Sequence, residues 1–222
     1  MRTFLTLAAA FFMWSFAAVP AQAAVTITFW SHELGNSFPH AFFTLRGIPD
    51  AGGAPVDTNV GFTAKSVSPA LLMGPVAGKL DIAKPGYVAG SDAQFSLIMS
   101  DAQYEAVLRL VDAWSEGKPD SVYRLSDHNC VTFVKEAARI VGLSGLDQPK
   151  LMKKPRSYLK AVGAANVGRV IPVGLHGKEY LAGLSPIMPS ATTGAVIATS
   201  SSPMPSYQRS TVPPAQSAAL PR

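Results

Sequence analysis

Branched apolar and polar residues alternate along Val25-Thr26-Ile27-Thr28-Phe29-Trp30, the period of two that a half-buried strand requires. The same period runs through His40-Ala41-Phe42-Phe43-Thr44-Leu45-Arg46 until Gly47 and Pro49 stop it. This predicts a second strand with His40, Phe42 and Thr44 on one face and Ala41, Phe43 and Leu45 on the other. A third strand is expected from Asn59 to Lys65 and a fourth from Phe95 to Met99. Between these two, Pro69, Gly74, Pro75, Gly78, Pro85, Gly86 and Gly90 interrupt every period, so short loops or sheet-edge pieces are expected rather than a helix.

Beyond residue 100 the period lengthens. Ser100 and Gln103 have capping-box spacing, and Tyr104, Val107, Leu108, Val111 and Trp114 form the apolar stripe of a helix that Gly117 and Pro119 end. A second helix begins near Cys130, places Phe133, Val134, Ala137, Ala138 and Val141 on one face and Lys135, Glu136 and Arg139 on the other, and ends at Gly142. A third runs from Pro155 to about Ala164, and the stretch from Gly168 to Val173 reads as a short strand that Pro172 confines to a sheet edge. Strands first and helices later predict an α+β domain, a small antiparallel sheet with helices packed on one side.

The two ends of the chain follow neither pattern. Arg2, the apolar stretch from Phe4 to Val19 and the small-x-small Ala21-Gln22-Ala23 after Pro20 have the order of an export signal cleaved after Ala23. A retained anchor is the alternative, but the apolar run is short for a membrane span. From Leu184 the chain becomes Ser, Pro, Thr and Ala with almost no charge, so residues 184–222 are expected to be a disordered tail and 24–183 the folded domain. The expected compartment is the periplasm or the exterior, with no stable membrane insertion once the signal is removed. The formal charge of +5 is scattered rather than gathered into a basic stripe with interleaved aromatics. Nucleic acid is therefore not an expected partner, while an anionic cell envelope is compatible.

Candidate chemistry centres on Cys130, the only cysteine, which in an exported chain has no internal disulfide partner. Two readings of it stand: a small apolar residue starting the buried stripe of its helix, or a nucleophile whose pKa the helix N-terminus lowers. A cysteine nucleophile needs a base close in space. Of four histidines, His32 lies in a Gly- and Pro-containing segment that reads as an exposed loop, His176 sits between glycines in a loop, and His128 is too close in sequence to Cys130 to face it readily. His40, at the start of the second strand, stands at the sheet rim, where it is either the base or a strand-end histidine held by a carbonyl. His32 and His40 stand eight positions apart with Gly35 and Pro39 between them, which excludes a helical His-Glu-x-x-His zinc site, and no metal or cofactor is expected.

His40-Ala-Phe-Phe-Thr-Leu-Arg-Gly47 followed by Asn129-Cys130-Val-Thr-Phe-Val-Lys-Glu resembles the circularly permuted papain-like fold of permuted NlpC-type cell-wall peptidases and the lecithin:retinol acyltransferase group. The resemblance covers roughly Thr28 to Gly142. It implies Cys130 as nucleophile, His40 as general base, and a third polar residue on the strand after the histidine that orients the imidazole. Asn59 is the match for that third residue, with Asp57 as its neighbour. The acyltransferase group carries a histidine there and this chain does not, which weakens transfer of acyltransferase activity. The implied activity is a cysteine amidase or peptidase working through a thioester, with peptidoglycan peptides as substrate and lipid or other acyl groups behind them. A non-catalytic envelope-binding domain of the same fold is the competing expectation.

Overall fold

The computed structural model describes residues 24–33 and 38–188. The expected export signal and the expected tail beyond Met188 lie outside the described residues. Among the described residues, no helix is long and apolar enough to cross a membrane.

The alternating segments form β1 (Val25–His32), β2 (His40–Gly47), β3 (Val56–Ala64) and β5 (Asp92–Met99). With β4 (Val76–Asp81), β6 (Val122–Tyr123) and β7 (Ile171–His176) they make one seven-stranded antiparallel sheet in the order β6-β4-β3-β2-β1-β5-β7. β7 is an edge strand, where Pro172 breaks no ladder between two neighbours. Three helices of eleven to thirteen residues pack on one face: α3 (Asp101–Ala113), α4 (Cys130–Ile140) and α5 (Pro155–Ala165). The α+β class with the three long helices on one side is thus present as the periodicities require.

The Ser100–Gln103 capping box closes the N-terminus of α3. The span between the third and fourth expected strands differs from expectation. It contains the four-residue α1 (Ala70–Met73), the paired strand β4 and the short α2 (Pro85–Ala89). Pro85 stands at the first helical position of α2, where its missing N–H costs nothing. Gly78 lets β4 pass over Phe62, since a Cβ there would fall 2.4 Å from the ring.

Strand alternation sorts the aromatic residues into two clusters. Ala41, Phe43, Leu45 and Phe62 face the three helices, where Phe43 stacks on Phe133 at 5.4 Å and Phe62 meets Trp114 edge-on at 4.7 Å. Trp30 and Phe42 face the other way and stack at 5.8 Å, covered by Val88 of α2 and by Tyr180 of α6 (Gly177–Ala182). After α6, residues 184–188 have no regular structure but lie against the sheet, with the Arg46 guanidinium donating to the Ser185 carbonyl at 2.8 Å.

Phe62 touches Trp114, Tyr123, His128 and Phe133 and is fully buried. Replacing it with alanine is expected to cost about 3–5 kcal/mol, read as the shift of a urea unfolding curve with unchanged slope.

Candidate active site

The site starts from a helix cap. Asn129 precedes α4 in extended conformation, and its side-chain oxygen accepts from the N–H groups of Val131 at 2.8 Å and Thr132 at 3.2 Å. Its amide nitrogen donates to the Leu125 carbonyl and to the Met152 carbonyl, both at 3.0 Å. One buried carboxamide therefore fixes the first turn of α4, the loop before it and the loop leading into α5. Cys130 follows as the first helical residue, nearly buried, with its own N–H engaged by neither cap contact.

The β2–β3 ladder runs from Gly47 opposite Val56 to Phe42 opposite Gly61. Beyond its end the Ala41 N–H comes close enough to the Cys130 sulfur to favour its thiolate, which places the thiol beside the residue next to His40. Burial pushes the thiol up to about 11, and the N–H groups of Ala41, Val131 and Cys130 offset only part of that. The expected lowering by the helix N-terminus is present as the Val131 and Cys130 N–H contacts, but desolvation is larger and the resting sulfur is a neutral thiol.

His40 begins β2 on the face opposite Ala41, and its ring stacks on Phe42 at 6.1 Å. The ring also lies over Gly61. A Cβ at position 61 would fall 2.4 Å from His40 Nε2, so only glycine leaves room for the imidazole. Gly61 is paired across the sheet with Asp81, the last residue of β4, which brings a carboxylate to the same side. Burial pushes the imidazole down to about 4; Asp81 pulls it back upward, and the cross-strand His32 lowers it further.

The orienting role expected of Asn59 is not what its side chain performs. Its amide donates to the Ala83 carbonyl at 3.1 Å and its oxygen accepts from the Ala83 N–H at 2.7 Å, a two-pronged clamp on the chain leaving β4. Asp57 forms an ion pair with Arg46. The charged group that acts on His40 is Asp81. Neither Asp81 nor Gly61 was singled out from sequence, because what brings them to His40 is strand register.

Cys130 and His40 line one cavity of about 980 Å³. Its walls are mainly apolar, built from Phe38, Val67, Leu71, Leu72, Leu125 and Met152, with Asp81, Thr63 and Lys153 among the polar contributors. Among the described residues no hydrogen bond joins the imidazole to the thiol; a reacting group would enter the cavity that both residues line. No group of three or more metal-ligating side chains occurs among the described residues.

The other histidines differ from expectation in instructive ways. His32 ends β1, stacks on Tyr87 at 4.2 Å and lies 3.0 Å from the Ser91 hydroxyl. That hydroxyl donates to the Tyr87 carbonyl, so it accepts from His32 Nδ1, which fixes the proton there. His128 stacks on Trp114 at 4.0 Å with its Nδ1 buried and unpartnered, and burial lowers its pKa. His176 pairs with Asp92 at 3.1 Å.

Comparison with protein-family models, curated proteins and solved structures found no match to the chain.

Two measurements check these electrostatics. Alkylation of Cys130 by iodoacetamide is expected to be slow at neutral pH and to accelerate toward a midpoint near 11, whereas a midpoint below 8 would contradict the burial of the thiol. His40 is neutral when folded down to about pH 4, whereas the unfolded chain takes up that proton near 6.5. Stability is then unaffected by this group above pH 6.5 and falls by at most about 1.4 kcal/mol per pH unit as pH drops toward 4. The half-buried His128, whose pKa burial also lowers, acts in the same direction. Urea titrations of the parent and of His40→Gln across that window should show a shallower slope in the variant.

Proposed function

We propose that the protein is a thiol hydrolase of acyl substrates, with Cys130 as nucleophile, His40 as general base and Asp81 as the carboxylate that supports the imidazolium. The observation that carries this reading is the shared cavity: the thiol at a helix N-terminus and the imidazole beside a carboxylate face one large, mainly apolar space. Apolar walls suit an acyl chain better than the polar stems of cell-wall peptides, so among the substrates implied by sequence the acyl class is preferred over peptidoglycan.

In the free protein, passing the thiol proton to the imidazole climbs the gap between about 11 and about 4, on the order of 9 kcal/mol before mutual attraction. A preformed ion pair is therefore not the resting state. The proton moves as attack proceeds: His40 takes the S–H proton while the sulfur bonds to the acyl carbon, and Asp81 stabilises the imidazolium that forms. The Cys130 N–H, which neither Asn129 cap contact engages, donates to the oxyanion as it forms. His40 returns the proton to the leaving alcohol or amine. Water, deprotonated by the same imidazole, then breaks the thioester and restores the thiol.

A second reading, a binding domain that holds an acyl chain without cleaving it, is supported by the neutral resting states of both groups. Incubation with p-nitrophenyl esters of increasing chain length separates the two. Hydrolysis by the parent, loss of at least about 1,000-fold in Cys130→Ala and about 100-fold in His40→Ala are expected for the enzyme, with a covalent acyl adduct on Cys130 by mass spectrometry. Asp81→Asn should lower kcat about 10-fold with KM little changed, and Gly61→Ala should displace the imidazole and reduce kcat while circular dichroism is unchanged. Equal turnover by the parent and Cys130→Ala would leave the binding reading.

A further inference from the structure

The mouth of the cavity carries side chains that a water-facing rim has no physical reason to expose. Leu72, on the short α1, lines the cavity and is 80% exposed; Met73, which follows it at the end of α1, is 87% exposed, and Val67 and Phe38 in the lining are 60% and 64% exposed. Single exposed apolar residues are ordinary, but here they are gathered at the edge of one apolar cavity. Lys153 lines the same opening and Lys154 follows it, both exposed, and among the described residues neither belongs to an ion pair. The nearby acidic group is Asp81, which faces Lys79 at 3.6 Å.

We propose that this rim is a docking surface for an anionic lipid bilayer. Leu72 and Met73 enter the boundary between headgroups and acyl chains, Val67 and Phe38 lie behind them, and Lys153 and Lys154 meet anionic headgroups. The charge pattern selects a bilayer over other partners: protruding apolar side chains flanked by unpaired cations match the layered chemistry of a lipid surface. The cavity between these residues then opens toward the acyl layer rather than toward water. Docking needs no turnover and stands or falls separately from the hydrolase reading.

Because Cys130 is the only cysteine, a single reporter can be placed at will. In the full chain carrying Cys130→Ser, which cannot form a thioester, Met73→Cys is labelled with an environment-sensitive nitrobenzoxadiazole dye. The control is Ile98→Cys, an exposed apolar position on β5 away from the cavity. With vesicles of phosphatidylglycerol and phosphatidylcholine, the label at 73 should brighten and be quenched by lipids brominated on their acyl chains, while the label at 98 stays in water. Adding Leu72→Asp should weaken the response at 73 on the order of 100-fold in lipid concentration. Lys153→Glu with Lys154→Glu should remove on the order of 10-fold of the preference for anionic over neutral vesicles. Insertion of both labels alike, no change at position 73, or a response at 73 insensitive to Leu72→Asp would overturn the proposal, whatever the outcome of the ester assays.

Discussion

The carboxamide of Asn129 holds the site together. It makes four hydrogen bonds from a buried position: two cap α4, one closes the Leu125 loop and one ties in Met152 ahead of α5. Leaving those backbone groups unpaired in the interior would cost far more than the net worth of a surface cap, because buried donors and acceptors carry their full desolvation penalty. The position of Cys130 follows from it, since the residue after the cap has no freedom to leave the helix start. The packing of Phe133 on Phe43 and Phe62 then sets that helix start against the beginning of β2.

The same constraint explains why the thiol is weakly acidic. A helix start surrounded by water would favour thiolate through its unpaired N–H groups, an effect of about one kcal/mol at exposed sites. Here the helix is pressed into the core by its apolar face, and excluding water from the sulfur opposes the charge more strongly than three nearby N–H groups support it. His40 shows the same balance from the other side: Asp81 favours the imidazolium, and burial outweighs it. Both groups rest neutral because burial outweighs the charges and N–H groups around them; in the proposed hydrolase, charge separation waits for a substrate that supplies a developing oxyanion.

Much of the fold was legible because the periodicities are clean where one face meets the core. β1, β2 and the three long helices follow from alternation, the Ser100–Gln103 pair and the apolar stripe after Cys130. β4 was not legible, because Gly78 and the surrounding prolines read as breakers, while in the fold Gly78 makes room for Phe62. The site divides along the same line. Cys130 and His40 were identifiable from residue type and position, each at the start of its element. Asp81 and Gly61 were not, since a register such as Gly61 opposite Asp81 is a relation between strands that no local pattern encodes. Asn59 looked suitable as a polar residue on the strand after the histidine, but the chain leaving β4 needed a clamp and took its amide at Ala83. His32 looked like a loop residue, because Gly35, Asn36 and Pro39 suggest an early turn, yet β1 continues to it and pairs it with His40.

An apolar cavity has a further energetic consequence for the thiol and imidazole. In water, a cysteine and a histidine with ordinary pKa values exchange a proton at little cost, but a thiolate near its usual range is also the weaker nucleophile. Raising the thiol to about 11 makes the sulfur more nucleophilic once deprotonated, at the cost of a rarer reactive state. That exchange favours catalysis only if deprotonation is coupled to attack, so the base must already be in the cavity when the acyl carbon arrives. In the proposed hydrolase His40 would meet this requirement, with Gly61 leaving space for its ring and Asp81 standing on the paired strand. An imidazole free to swing into water would recover its ordinary pKa and leave the thiol without a base. On the proposed reading, glycine at position 61 supports the chemistry by leaving space for the histidine ring that rests on it.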